Sequence, residues 1–256
     1  MITWLHSFSN FSLVLSLLVV GLLITVIIPV YVRKFFKLEP NEHMGQGAEE
    51  AFKIIVSIVL LLIAFSLVQT QGDHQNADAL VAKESALIIK LHRALDAYGD
   101  EAKSQQAELV AYAKSIANDE WPALATGKRS AATTTALVKL GQDARKLSPS
   151  SPSQQLLRSE IVSTTTQLND VREARISSAS AQLPTYLYQA IALALIFLVV
   201  FAWFLTPLFK MVMYVGGVTV GVALLLALLF SLEGLYSGEN AVSVEPINNA
   251  ILIISQ

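Results

Sequence analysis

The chain has 256 residues, of which 54% are hydrophobic and only 15% charged, against roughly 25% charged in an ordinary soluble domain. Much of it is therefore expected in lipid. A net charge of −2 leaves no electrostatic footprint for nucleic acid, and the absence of cysteine excludes disulfides, thiolate catalysis and cysteine-held zinc or iron–sulfur sites.

Crossing a bilayer takes about 20 apolar residues. The first such run, Phe11 to Val32, has no charge and is followed by Arg33, Lys34 and Lys37. It is too long for a signal-peptide core, no Lys or Arg precedes it and no small-residue cleavage site follows, so it reads as a span. The second run, Ile54 to Val68, extends at most from Ala51 to Thr70, with Lys53 able to reach back to the interface. Gln71-Gly72-Asp73 then reads as a break.

Good helix formers dominate from there to Pro184, without strand-like alternation. The expected helices are Asp78–Tyr98, stopped near Gly99, then Glu101–Asn118, Ala131–Lys146, and a long one from Pro152 towards Ala181. Ser151 and Gln154 form a capping box at the start of the last, with Pro152 in its first turn. Two helices carry apolar seams at coiled-coil spacing: Val81, Glu84, Ile88, Leu91, Leu95 and Tyr98, and Leu157, Ile161, Thr164, Leu168, Val171 and Arg175. A charge on such a seam is costly unless paired. Glu84 is therefore expected to pair with Arg175, or failing that with Arg172.

The third span reads Leu183 to Leu208 and the fourth Met211 to Leu232. The fold class is all-α: four transmembrane helices plus an extramembrane antiparallel helical bundle between spans two and three. By residue number, 1–70 holds spans one and two, 71–182 the bundle, 183–233 spans three and four, and 234–256 a tail. The stretch from Ala241 to Ile254 is apolar but interrupted by Glu245, Pro246, Asn248 and Asn249 and too short to cross, and Leu235 to Pro246 is expected to fold back along the outer mouth of the bundle. Lys and Arg near the spans cluster in the two short loops (Arg33, Lys34, Lys37, Lys53; Lys210), which places those loops in the cytoplasm. In a bacterial inner membrane the termini and the bundle would then be periplasmic.

No nucleotide-binding, hydrolase, zinc-protease or calcium-loop motif is present. His6, His43, His74 and His92 lack metal-ligand spacing, and Asp119-Glu120 before Trp121-Pro122 reads as an acid-capped turn rather than an acid–base pair. No enzyme activity, cofactor or metal is expected. Inside the spans the polar residues are Gln189, Thr219, Ser16, Thr25, Ser57 and Ser66, of which Gln189, Thr219, Ser57 and Ser66 are candidate pore residues. Gly217 and Gly221 form a GxxxG face in span four, suited to close helix packing within or between subunits.

Four stretches carry a family resemblance: Tyr112 with Asn118-Asp119-Glu120-Trp121-Pro122-Ala123-Leu124; Leu147-Ser148-Pro149; Arg172 and Arg175 before Leu183-Pro184; and Glu233-Gly234-Leu235-Tyr236-Ser237-Gly238 with Val242-Ser243-Val244-Glu245-Pro246. Together they resemble a bacterial membrane family catalogued as a bestrophin-like domain. The departures are Glu233 and Leu235-Tyr236, where the family usually has an aspartate and then Pro-Phe, and a short tail after Pro246. The resemblance implies a homo-oligomeric anion channel in the lipid bilayer. The alternative is a non-conducting sensor or scaffold whose external bundle binds a partner.

Overall fold

The computed structural model describes residues 10–36, 42–179, 183–205 and 209–256, and every regular element among them is helical. The chain divides into two compact units, each with its own core.

The first unit comprises Met1–Gly72 and Gln182–Gly234, with Gly238–Asn240. Span one is α1 (Asn10–Leu22), a π turn (Leu23–Ile27) and α2 (Ile28–Phe36). Span two is the beginning of α3 (Glu42–Tyr98), span three is α8 (Thr185–Phe204) and span four is α9 (Phe209–Glu233). Residues 206–208, the expected end of span three, lie outside the described residues. All four are long and apolar enough to cross a membrane, so the protein is a multi-pass membrane protein. Only 17%, 22%, 28% and 39% of the four apolar windows is buried inside the chain, so most of that surface needs lipid or another chain. Phe52, Val59 and Ile63 of α3 pack with Ile191 and Leu198 of α8 and Val215, Val222 and Leu229 of α9.

The second unit comprises Asp73–Ala181, Leu235–Ser237 and Ala241–Gln256. Its helices are the rest of α3, α4 (Lys103–Ser115), a second π turn (Ile116–Glu120), α5 (Trp121–Ala125), α6 (Ala131–Arg145), α7 (Pro152–Ala179) and α10 (Glu245–Ile254). Gly99, at φ 107°, ends α3 in a backbone conformation that only glycine adopts freely. Ser130 caps α6 through the Thr133 N–H at 3.2 Å, and Ser151 caps α7 through the Gln154 N–H at 3.2 Å. The Gln154 side chain reaches back one residue further than a standard capping box, accepting from the Ser150 N–H at 2.8 Å. The core joins Val81, Ile88, Leu91 and Leu95 of α3, Leu109 and Tyr112 of α4, Leu140 of α6 and Ile161 and Leu168 of α7.

Two expectations are corrected. Gly72 breaks nothing: α3 runs unbroken from Glu42 to Tyr98. A lone helical glycine costs only ~1 kcal/mol against alanine, which cooperative helix on both sides outweighs. Helicity also continues past Asn118, so Asp119-Glu120 is no capped turn. The last residues of the tail belong to the second unit. They form α10, which buries Ile247, Ala250 and Ile254 in the core of the second unit, with the Ser85 hydroxyl donating to the Pro246 carbonyl at 2.7 Å.

Candidate functional site

Both π turns stand in the same place relative to a proline. In span one the Ile28 N–H donates to the Leu23 carbonyl, five residues back, and Pro29 follows. Ahead of α5 the Trp121 N–H donates to the Ile116 carbonyl, and Pro122 follows. A helical proline lacks the N–H owed to residue i−4 and its ring collides with that carbonyl. Inserting one residue in the preceding turn moves the carbonyl away and keeps the helix going. Each widened turn contains a buried polar side chain, Thr25 and Glu120 respectively.

Glu120 is the centre of a charged cluster in the second unit. Arg172 and Arg175, three residues apart on α7, share one face and are both buried. Arg172 Nη2 donates to Glu120 Oε1 at 2.5 Å and its Nε to both Glu120 oxygens at 3.1 and 3.2 Å. Arg175 Nη2 donates to Glu120 Oε2 at 2.6 Å, while its Nε donates to Glu84 Oε2 at 2.5 Å and Nη2 also to Glu84 Oε1 at 3.3 Å. Tyr112 Oη donates to Glu84 Oε1 at 2.9 Å, and Thr134 accepts from Arg172 Nη2 at 2.9 Å. Glu84, Glu120 and Arg175 are 0% exposed, so the bonds among the charged groups and Tyr112 form out of reach of water, while Thr134 is exposed.

The four charges cancel, and every carboxylate oxygen receives at least one N–H or O–H. Burial alone would lower Arg175, but the Glu84 and Glu120 carboxylates beside it outweigh burial and raise it above its ordinary value. Burial, and then Glu84, push the Tyr112 phenol well above its usual range. The carboxylate oxygens of the cluster are thus filled by N–H and O–H donors from α4 and α7. Its chemistry is that of a polar core setting the register of α3, α4, α5 and α7.

Three of the four family-motif segments meet at this cluster. The Trp121 ring lies under the Arg175 guanidinium, 5.4 Å from Cζ to ring centroid, and meets Tyr236 edge to face at 5.4 Å. Leu235 and Tyr236 are buried, and the Val242 N–H donates to the Leu235 carbonyl at 2.8 Å. Ser237 is half-buried, whereas Gly238 is exposed at φ 88° and Pro122 is exposed. The expectation for Glu84 named Arg175 first and Arg172 second. The structure gives Glu84 to Arg175, and Arg172 to Glu120, whose role the sequence did not disclose. The available signal was an acidic residue ahead of Trp-Pro, one turn beyond an apolar helix face.

In the first unit the polar span residues separate. Thr25 and Thr219 are buried with their hydroxyls 2.9 Å apart, and each lies 2.8 Å from a carbonyl of its own helix, Gly21 and Val215. Ser66 is buried and donates to the Leu62 carbonyl, Ser57 is exposed and donates to the Lys53 carbonyl, and Gln189 is exposed. The close approach expected at Gly217 and Gly221 is made elsewhere. A Cβ at either would meet nothing within 4 Å, whereas one at Gly21 would stand 2.9 Å from the Thr219 methyl. Span four thus packs its threonine face on span one and leaves its glycine face open in the single chain. His6 lies outside the described residues. The described ones hold no cluster of three metal-ligating side chains.

No curated protein matches the chain. A crystal structure described only as that of a membrane protein is similar, with a TM-score of 0.69 at 12% identity over 94% of this chain and 97% of that one, a likeness of fold. The bestrophin-like domain model matches residues 13–247, nearly the whole length, and the chain therefore belongs to the bestrophin-like domain family.

Proposed function

We propose that the protein is the subunit of a homo-oligomeric ion channel that conducts anions. Family membership across residues 13–247 carries the reading, since bestrophins are oligomeric anion channels. The open glycine face of span four supports the oligomer, because Gly217 and Gly221 offer a second chain the close backbone approach that their own chain leaves unused. Neutral hydroxyls and aliphatic residues line the membrane interior, which suits an anion path with apolar constrictions. Ser57 and Gln189, exposed on the single chain, are the side chains we place along that path, with Thr219 and Ser66 behind them. The basic short loops orient the bundle and the termini outward, to the periplasm in an inner membrane.

Purified protein in planar bilayers under an asymmetric chloride gradient tests this. The expected result is a current whose reversal potential follows the anion gradient. A reversal following the cation gradient overturns anion selectivity. A monodisperse oligomer that carries no current favours the non-conducting scaffold, whose external bundle would bind a partner.

A further inference from the structure

Arg33 ends span one inside a small cavity, with Pro29 and Val30 of its own helix, Leu205 after α8, and Met211 and Val215 of α9. Its Nη2 donates to the Trp203 carbonyl, and the Trp203 indole N–H donates to the Ile24 carbonyl at 3.0 Å. Its Nη1 is enclosed and has no hydrogen-bond partner among the described residues. Among the described residues no carboxylate forms an ion pair with Arg33. Lys34 follows it, and Lys210 precedes the cavity-lining Met211; both lysines are exposed. An enclosed guanidinium N–H without an acceptor is costly, and an oxyanion is the partner it fits best.

Thr25 belongs both to this cavity and to a second one of about 190 Å³, walled by Leu17, Gly21, Leu195, Leu198 and Leu226 among others. The hydroxyls on that wall, Thr25 and Thr219, are satisfied by each other and by backbone carbonyls, so nothing in it calls for a polar guest. Along span one, Thr25 is ~12 Å and Leu17 ~24 Å from Arg33 at ~1.5 Å per residue. Half the hydrocarbon core of a bilayer is ~15 Å deep. The two cavities share Thr25 as a wall, with a cationic group in the first and an apolar trough in the second that follows span one for ~12 Å from Thr25 to Leu17, within one leaflet's depth.

We infer that these two cavities together bind an anionic phospholipid, its phosphodiester on Arg33 and an acyl chain running past Thr25. Inorganic phosphate supplies the same oxyanion without the chain. The inference is independent of conduction.

The test is native mass spectrometry of lipid retained by the detergent-purified protein, offered phosphatidylglycerol against phosphatidylcholine. Wild type should prefer phosphatidylglycerol at least tenfold. Arg33→Gln should cut its retention at least tenfold, Arg33→Lys less, and Val199→Trp, which fills the trough, should cut retention of both lipids. Millimolar inorganic phosphate should not displace the bound lipid. Equal retention of the two lipids by wild type, undiminished phosphatidylglycerol on Arg33→Gln, or displacement by inorganic phosphate would each overturn the proposal. A variant with an unchanged circular dichroism spectrum and thermal midpoint keeps the comparison valid. If Arg33→Gln fails that control, the wild-type lipid preference and the phosphate competition decide alone.

Discussion

The π turn in span one and the π turn ahead of Trp121 are built alike and used differently. Each precedes a proline and contains a buried polar side chain that bonds to another helix. In the membrane unit that side chain is Thr25, and its partner is the neutral Thr219 hydroxyl. In the helical unit it is Glu120, and its partners are two guanidinium groups. The surroundings account for the difference. Hydrocarbon around span one offers no water to a charge during insertion, whereas the helical unit folds from a solvated chain and can close over charges that are already paired. A hydroxyl pair thus positions two spans at little electrostatic risk, while a charged quartet commits four helices to one register.

Breaking the charged member should have the largest effect. Glu120→Gln removes the carboxylate that bridges both arginines and should destabilise the helical unit by about 3–5 kcal/mol, read from thermal or denaturant midpoints. Glu84→Gln should cost less, because Arg175 keeps Glu120. Gly21→Ala comes next, at about 1–3 kcal/mol, because its methyl would meet the stiff, hydrogen-bonded Thr219 at 2.9 Å. Tyr112→Phe should cost about 1.5–3 kcal/mol, the usual worth of a hydrogen bond to a charged group. Thr219→Val should be mildest, at about 0.6 kcal/mol, because hydrogen bonds between transmembrane helices are worth little net.

The pH dependence sharpens the same contrast. The folded Tyr112 phenol is raised above its unfolded value by burial and Glu84. Its contribution is therefore complete below the ordinary tyrosine value of about 10 and lost as pH rises through the folded one. Wild type should lose stability above about pH 10 more steeply than Tyr112→Phe. Tyr236, raised by burial, adds to the alkaline loss in both.

Elements with strong periodicity were the legible part of the molecule. Four apolar runs, the glycine stop at Gly99 and the cap at Ser151 each depend on residues within a turn or two. Glu84 and Arg175 lie on apolar seams, and both side chains point inward. Glu120 stands four residues after Ile116, on the 3.6-residue face that also holds Leu109 and Ala113, but its place beside Asp119 and ahead of Trp121-Pro122 made it read as part of a capped turn. The tail was hidden for another reason: Asn248 and Asn249 interrupt its apolar run, and only tertiary packing of Ile247, Ala250 and Ile254 makes it a core helix. The glycines of span four pointed to close packing, yet the close contact belongs to Gly21, whose partner is a threonine methyl that sequence alone does not locate.

Two double-mutant cycles compare the turns most directly, one on Glu120 and Arg175, the other on Thr25 and Thr219. Close charge pairs have coupling energies of about 1.5–7 kcal/mol, and intramembrane hydrogen bonds average about 0.6 kcal/mol. The account predicts a coupling of at least ~2 kcal/mol for the first cycle and under ~1 kcal/mol for the second. Equal couplings, or a larger one for the threonines, would contradict it.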